Sequence, residues 1–313
     1  MAAVPGRVFV FDEGRPVVVE LTPTLDPVHE FGRTGSGPGE INAGMNLRLL
    51  VEGANYNFLG ADRNSITIYD RREIEVFDSL GTPRYSVRFP LSGPWMYGLR
   101  HVAPWGDSAL LAIVDSVDVT VRRPRRLQAW AIEGSGRSEV RRLLWELPVP
   151  GDTGAALLQT TRRVSRPYWG RIAGCQVATD GASRFLFRYD ERTGRGDSLV
   201  LPDWRIPSWG RARGDGSGPR IGGRPVVEQR RPASLARWSD LVVDPDGWVW
   251  VRAWTEDRSE VRAFAVSVGS GRVVEVATPV FPRAFGEPGV FYATRRNRET
   301  EEVVLLRYEG RAR

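Results

Sequence analysis

Apolar and polar residues alternate along many short stretches of this chain, and turns rich in glycine, proline and aspartate separate the stretches. Ile74–Asp78 and Arg84–Phe89 show the pattern clearly, with Gly81 between them. Alternation with a period of two residues puts one face of a strand inward and the other outward, so this pair is predicted to be an antiparallel hairpin. Since no segment keeps a helical period over three turns, the pattern predicts an all-β chain.

The same hairpin, followed by a proline, occurs four times. The four pairs of turn glycine and closing proline are Gly81 and Pro90, Gly136 and Pro148, Gly194 and Pro202, and Gly271 and Pro279. A tighter hairpin precedes several of these units, most clearly in Asp240–Val251, where Pro-Asp-Gly forms the turn. Repeated units of four antiparallel strands are typical of a β-propeller.

We therefore predict that residues 1–313 form a single domain, a six-bladed β-propeller of four-stranded antiparallel blades. The predicted blades span about residues 6–32, 47–90, 96–148, 170–202, 236–279 and 283–309, with a loop insertion at 204–235. The first unit lacks an innermost strand in this pattern, and the sixth lacks an outermost one. We accordingly expect the N-terminal and closing blade to be incomplete, and the natural protein to have a further N-terminal stretch with an export signal.

Composition narrows the choice of function. All 44 basic residues are arginines and the net charge is +6, but 38 carboxylates nearly balance them and no nucleic-acid motif accompanies the arginine clusters. One cysteine and two histidines exclude an intrachain disulfide and argue against a zinc site built from these residues. No apolar run is long enough to span a membrane, and the first 20 residues lack the apolar region of a signal peptide.

Two segments carry a family resemblance. Residues 66–81 read ITIYDRREIEVFDSLG, which resembles an NHL-type propeller repeat, and residues 31–40 read FGRTGSGPGE, which is similar to a linker between blades in bacterial six-bladed propellers of the NHL-like class. In that linker, Ile41 replaces the usual aromatic residue. The resemblance implies an exported or periplasmic protein without an assigned activity. The glycine-rich linker lacks the ending of a phosphate-binding loop, so we interpret it as a turn that needs glycine at positive φ.

The candidate ligand-binding residues lie at the predicted mouth of the central channel. Tryptophans precede three predicted innermost strands, each with an arginine nearby, and such pairs bind sugars, peptides or anions in other proteins. The alternative for the tryptophans is packing between blades. The candidates are Trp95, Tyr97, Arg100, His101, Trp169, Arg171, Arg237, Trp238 and Asp240.

We expect no catalytic residue. His101 could act as a general base on an innermost strand, but the sequence places no partner beside it. Calcium is a candidate cofactor at Asp62 or Asp240, although each loop offers one carboxylate. The expected function is therefore a monomeric, non-catalytic scaffold that binds a small molecule, a glycan or a protein. The alternatives are a metal-dependent hydrolase or lyase of the lactonase type, and an RNA-binding NHL-type propeller.

Overall fold

The computed structural model describes residues 1–12, 15–35, 37, 39–41, 59–69, 73–88, 95–105, 109–118, 124–134, 140–153, 168–172, 174–181, 183–203, 220–221, 224–225, 238–253, 255, 261–297, 300 and 302–310. Every regular element in these ranges is a β-strand. The strands form six antiparallel sheets, arranged as the blades of a six-bladed β-propeller, as the sequence predicted. No described segment is a helix long and apolar enough to cross a membrane.

The strands follow one another along the chain, blade by blade. Blade one contains β1 (Ala2–Val4), β2 (Arg7–Asp12), β3 (Val17–Leu21) and β4 (Pro27–Phe31). Between blades one and two, the short strands β5 (Arg33–Thr34) and β6 (Glu40–Ile41) pair in parallel. Blade two contains β7 (Leu59–Ala61), β8 (Ser65–Tyr69), β9 (Glu73–Asp78) and β10 (Pro83–Arg88). Blade three contains β11 (Trp95–Trp105), β12 (Ala109–Asp118), β13 (Pro124–Glu133) and β14 (Val140–Thr153).

The second half of the chain repeats the arrangement. Blade four contains β15 (Tyr168–Ile172), β16 (Cys175–Thr179), β17 (Phe185–Asp190) and β18 (Arg195–Val200). A two-stranded hairpin follows, formed by β19 (Arg220–Ile221) and β20 (Arg224–Pro225). Blade five contains β21 (Trp238–Val243), β22 (Trp248–Ala253), β23 (Arg262–Ser267) and β24 (Val273–Ala277). Blade six contains β25 (Ala284–Phe285), β26 (Val290–Arg296) and β27 (Val303–Glu309).

The first strand of each sheet lies nearest the centre of the ring. First strands of neighbouring blades contact one another, as β7 does with β11 and β15 with β21. These approaches are close: a Cβ on Gly60 would lie 2.3 Å from the Val102 carbonyl oxygen, and a Cβ on Gly170 would lie 2.6 Å from the Val243 side chain. Glycine at these two positions therefore lets the central strands pack with little space between them.

Blade one is more complete than the sequence pattern suggested. Ala2–Val4 forms its innermost strand by pairing with Arg7–Phe9, so this sheet has four strands and not three. Blade six has three strands among the described residues, as predicted, and lacks the outermost one. No described strand of blade one pairs with blade six, although β1 contacts β25.

Aspartates terminate many of the hairpins. In β7–β8 the Asp62 Oδ1 atom accepts hydrogen bonds from the backbone N–H groups of Asn64 at 2.8 Å and Ser65 at 2.7 Å. Asp78, Asp190 and Asp244 make the same kind of side-chain-to-backbone bonds in other hairpins. A carboxylate that caps the turn in this way substitutes for a ladder hydrogen bond and holds the strand ends together. At Asp62, the proposed calcium ligand, this bonding occupies one carboxylate oxygen.

The glycine-rich linker forms a closed loop. Gly32 and Gly39 have φ values of 82° and 76°, which confirms the expected turn with glycine at positive φ. The Glu40 carboxylate occupies the loop, since it accepts a hydrogen bond from the Gly37 N–H at 2.9 Å and pairs with Arg33 at 2.7 Å. Because a carboxylate already lies against this backbone, the loop is not a phosphate cradle.

The interfaces between neighbouring blades, called seams below, form the core. The seam between blades three and four is lined by Leu111, Ile113, Leu127, Ala129, Trp145 and Ala178. The seam that closes the ring, between blades six and one, contains Val8, Leu21 and Tyr292, all at least 95% buried. Ring closure among the described residues therefore depends on side-chain packing and not on a shared strand.

Candidate functional site

The predicted site residues lie on three central strands. Trp95, Tyr97, Arg100 and His101 are on β11, Trp169 and Arg171 on β15, and Trp238 and Asp240 on β21. The side chains of Trp95, Tyr97 and Arg100 lie outside the described part of the structure, and so does Arg237. The geometry of the site is therefore built from the five remaining residues and their neighbours.

Contacts between neighbouring central strands show which of their residues lie at one level. A Cβ on Gly170 would contact both Leu241 and Val243. On the other side of β15, Arg171 donates a hydrogen bond to the Pro104 carbonyl at 3.2 Å. These two contacts place Trp169 near the level of His101 on β11 and near the level of Asp240 on β21. Arg283, directly before β25, lies at the same level because it contacts Asp240.

His101 and Trp169 form a ring pair across the seam between blades three and four. Their ring centroids are 4.6 Å apart and the planes are tilted by 42°. Val102 packs toward blade two, so alternation along β11 directs its neighbour His101 toward blade four, where Trp169 lies. The pair joins two blades near the centre of the ring.

The His101 imidazole is neutral at pH 7. Burial lowers the pKa of His101 to about 4, because a charged ring would lose hydration that the surrounding protein does not replace. A neutral imidazole has one nitrogen that donates and one that accepts a hydrogen bond. No hydrogen bond joins either nitrogen to another described residue.

The Trp169 indole N–H is buried and has no hydrogen-bond partner among the described residues. Trp145 and Trp238 differ in this respect, since their indole N–H groups donate at 2.8 Å to Gln176 Oε1 and to the Ser183 carbonyl. A buried donor without an acceptor costs free energy, on the order of 1–3 kcal/mol. An acceptor supplied by a ligand would remove that cost.

Arg171 belongs to a chain of hydrogen bonds formed by Trp145, Gln176, Glu191, Arg171 and the Pro104 carbonyl. The seam between blades three and four, which contains this chain, is called the polar seam below. Arg171 donates through Nε and Nη2 to the two oxygens of Glu191, at 2.8 Å each. Gln176 donates to Glu191 at 3.0 Å and accepts the Trp145 N–H. The Arg171 guanidinium is thus already engaged by protein, and its role is to join blades three and four beside the ring pair.

Asp240 belongs to a charged group with Arg283 and Arg252. Arg283 donates to Asp240 Oδ2 at 2.7 Å, and Asp240 Oδ1 accepts its neighbour's backbone N–H. Asp240 keeps 23% of its side-chain surface exposed and Arg283 keeps 48%, so solvent reaches both. Burial raises the pKa of the Asp240 carboxyl, while the charge of Arg283 opposes the shift. We call His101, Trp169, Asp240 and Arg283 the mouth cluster, after the position at the channel mouth that the sequence predicts.

Trp238 lies between blades four and five. It is 1% exposed, packs edge-on against Phe264 and donates its indole N–H to the Ser183 carbonyl. This is the packing role that was the alternative to ligand binding for the tryptophans, so Trp238 is not part of the mouth cluster.

Sequence reasoning missed the partners of the site residues. Glu191, Gln176, Arg252 and Arg283 are all distant in sequence from the residues they contact. A weak signal existed for Arg252, since alternation along β22 places it opposite Asp240 in the pairing register. The Glu191 contacts join three strands of blade four, and the contacts of Gln176 with Trp145 and of Arg283 with Asp240 cross between blades, so the pattern along one strand contains neither kind.

The described residues contain no cluster of three or more His, Cys, Asp or Glu side chains that could hold a metal ion. Cys175 is half-buried, and burial raises the pKa of its thiol to about 11, so the thiol is protonated at pH 7. The groups that the mouth cluster can use for binding are therefore two neutral aromatic rings, the Asp240 carboxylate, and the guanidinium groups of Arg283 and the neighbouring Arg252.

Comparison with known proteins gives fold-level likeness only. No protein-family model matches the chain, and no curated protein matches it. Among solved structures, a protein of unknown function from Bacteroides caccae is 12% identical, with a TM-score of 0.47 over 97% of this chain and 90% of that one. An oligogalacturonate lyase in complex with manganese is 7% identical, with a TM-score of 0.47 over 98% of this chain and 77% of that one. A chain of a nidogen/laminin complex is 12% identical, with a TM-score of 0.45 over 87% of this chain and 76% of that one. Likeness at this level assigns neither a ligand nor an activity to this chain.

Proposed function

We propose that this protein is a non-catalytic binding propeller that holds a glycan at the mouth cluster. The observation that carries the proposal is the ring pair of His101 and Trp169, in which the buried indole N–H lacks a described partner and the imidazole is neutral. Sugars present both apolar C–H faces and hydroxyl groups, so they match aromatic rings that also offer hydrogen-bond donors and acceptors.

The charged half of the cluster supports the same ligand class. The Asp240 carboxylate accepts hydrogen bonds from hydroxyl groups, and the half-exposed Arg283 donates to hydroxyl or carboxylate oxygens. The ring pair lies between blades three and four and the ion pair between blades five and six. Between them are Tyr168, adjacent to Trp169 on β15, and Arg252, which interacts electrostatically with both Tyr168 and Asp240. Such a set orients a ligand without supplying a nucleophile.

Membership of the NHL-like class is part of the proposal. What supports it is the linker, whose glycines and glutamate have defined structural uses: Glu40 fills the loop, and a Cβ on Gly39 would lie 2.1 Å from Pro83 of blade two. These residues connect blades one and two, which is the role the resemblance implies.

Binding is tested with two panels of oligosaccharides, one neutral and one of uronic acids, followed by saturation-transfer NMR and tryptophan fluorescence. We expect oligosaccharides of one of the two panels to bind the protein. Trp169→Phe keeps a ring but removes the N–H, and Arg283→Ala removes the exposed donor; each should weaken binding at least about tenfold. Arg272→Ala, an exposed residue of the β23–β24 turn, is the matched control and should bind like the wild type.

The proposal is wrong if neither panel binds, or if binding is the same in Trp169→Phe and Arg283→Ala as in the control. Mass spectrometry of the recovered sugar tests the absence of catalysis. A cleaved sugar, together with a stoichiometric divalent ion that Asp240→Asn loses, would replace the proposal with the metal-dependent hydrolase or lyase.

A further inference from the structure

Three arginines of this chain hold a carboxylate of their own blade in the same geometry. In each, the Nε and Nη2 atoms, which lie on one edge of the guanidinium, donate to the two oxygens of one carboxylate. This two-point contact fixes the direction of the carboxylate as well as its distance. The pairs are Arg7 with Glu20, Arg171 with Glu191, and Arg188 with Asp197.

Arg283 of the mouth cluster uses its guanidinium differently. It contacts Asp240 through Nη1, at 2.7 Å, and its Nε–Nη2 edge donates to no residue in the described part of the chain. Its side chain is 48% exposed, whereas those of Arg7, Arg171 and Arg188 are 25%, 31% and 28% exposed. The edge that binds a protein carboxylate in the other three arginines is therefore the part of Arg283 suited to a ligand carboxylate.

The surroundings of Arg283 also favour a ligand that carries acceptors and negative charge. Both oxygens of Asp240 already accept a hydrogen bond, Oδ2 from Arg283 and Oδ1 from the Leu241 backbone N–H at 3.0 Å. Arg252 lies opposite Asp240 in the strand register. Burial lowers the pKa of Arg252, the charge of Asp240 opposes this shift, and the charge of Arg283 adds to it. The two guanidinium groups are thus close enough to interact, and both attract an anion that binds beside Arg283.

We infer that the ligand is an acidic oligosaccharide, in which a uronic-acid carboxylate binds the Nε–Nη2 edge of Arg283; this inference rests on the glycan site proposed above. The carboxylate of Glu191 shows the fit in the same chain, since both of its contacts with the equivalent edge of Arg171 are 2.8 Å long. The ring pair lies between blades three and four, and Arg283 lies directly before the first strand of blade six. A ligand that uses both therefore has several sugar units.

Matched ligands test the acidic group. Oligomers of mannuronic acid and of galacturonic acid are compared with the same oligomers after reduction of their carboxyl groups to primary alcohols, and calorimetric titration at neutral pH gives each Kd. Reduction keeps the sugar ring and removes the charged, two-oxygen acceptor. We expect the acid form of at least one oligomer to bind at least about tenfold more tightly than its reduced form.

Variants of the full chain test whether Arg283 reads the carboxylate. Arg283→Gln should bind the acid and reduced forms alike. Arg283→Lys keeps the charge but lacks the two-point edge, so it should retain only part of the preference for the acid form. Arg272→Gln removes one charge from the exposed β23–β24 turn and is the matched control, which should keep the full preference.

Equal binding of the acid and reduced forms would overturn the inference and leave the proposed glycan function standing. If neither form binds, the inference is overturned, and the neutral panel decides whether the proposed function fails with it. A preference for the acid form that persists in Arg283→Gln would also contradict the inference. So would a glutamate oligomer that binds as tightly as the uronic acids, because the site would then be one for acidic peptides.

Discussion

The polar seam and the closing seam join neighbouring blades by opposite means. On blade four, Glu191 holds Arg171 and Gln176, and these two side chains bond blade three through the Pro104 carbonyl and the Trp145 indole N–H, within an otherwise apolar wall. Between blades six and one, Val8, Leu21 and Tyr292 form a packed apolar contact, with a hydrogen bond from the Tyr292 hydroxyl to the Pro23 carbonyl at 3.1 Å. The mouth cluster's ring pair lies on the first of these seams.

The difference teaches what each kind of contact can specify. Apolar packing is tolerant of small shifts, because its free energy depends on buried area and not on direction. A hydrogen-bonded arginine and carboxylate require one geometry, and losing either partner leaves the other unsatisfied. The polar seam is thus suited to hold His101 and Trp169 in one relative position, whereas the closing seam needs only to keep the ring shut.

The largest effect is expected for Glu191→Ala, which removes the acceptor of both Arg171 and Gln176. Glu191 is 10% exposed and Arg171 is 31% exposed, so we expect the lower end of the cost for breaking a buried pair, about 3 kcal/mol of unfolding free energy. Urea denaturation measures it. The control is Asp197→Ala, which breaks the exposed Arg188–Asp197 pair on the same blade and should cost less than about 1 kcal/mol. Equal costs would mean that the polar seam has no special role.

A smaller effect is expected at the closing seam for Tyr292→Phe. The variant keeps the buried ring and loses the hydroxyl that bonds Pro23, so the free energy of unfolding should fall by about 1 kcal/mol. Tyr308→Phe in the same blade, where the ring stacks on Phe291, is the control and should change stability by a few tenths at most. If Tyr292→Phe costs as much as Glu191→Ala, the two seams do not differ as described.

The smallest effect at neutral pH, but a clear one in acid, is expected for His101→Phe. The folded-state pKa of His101 is about 4 and the unfolded value is about 6.5, so the unfolded chain binds more protons between these values. The contribution of His101 is therefore present above pH 6.5 and is lost as the pH falls toward 4. Denaturation across this range should show a shallower decline in His101→Phe than in the wild type.

The control for the pH experiment is His29→Phe. His29 stacks on Phe31 at 5.9 Å on the exposed strand β4. This variant should decline with pH in parallel with the wild type. A parallel decline in His101→Phe as well would show that the imidazole is not held neutral at the polar seam.

Local sequence chemistry predicted most of the blades. Three of the four turn glycines used to find the outer hairpins, Gly81, Gly194 and Gly271, have φ between 68° and 80°. The strands around them alternate because one face of each meets a neighbouring blade. Ala2–Val4 was missed because three small residues carry no readable alternation, and they become a strand only by pairing with β2.

The site was less predictable than the fold. Tryptophan near the start of a predicted innermost strand selected Trp169, which forms a ring pair with His101, and the same pattern also selected Trp238, which packs between blades. Whether an indole N–H finds an acceptor depends on the facing blade: Ser183 supplies one to Trp238, and no described residue supplies one to Trp169. A pattern within one strand does not contain that information.

A ring shut by side-chain packing has a consequence for how the molecule opens. Separating blades six and one breaks one seam of six and no strand pairing among the described residues, so the closed ring becomes a row of blades with the other seams intact. Such partial opening costs less than global unfolding, and amides of β1 and β25 should then exchange with deuterium before those of β12 and β13. The propeller would thus have a preferred breaking point, fixed by the seam at which its first and last blades meet.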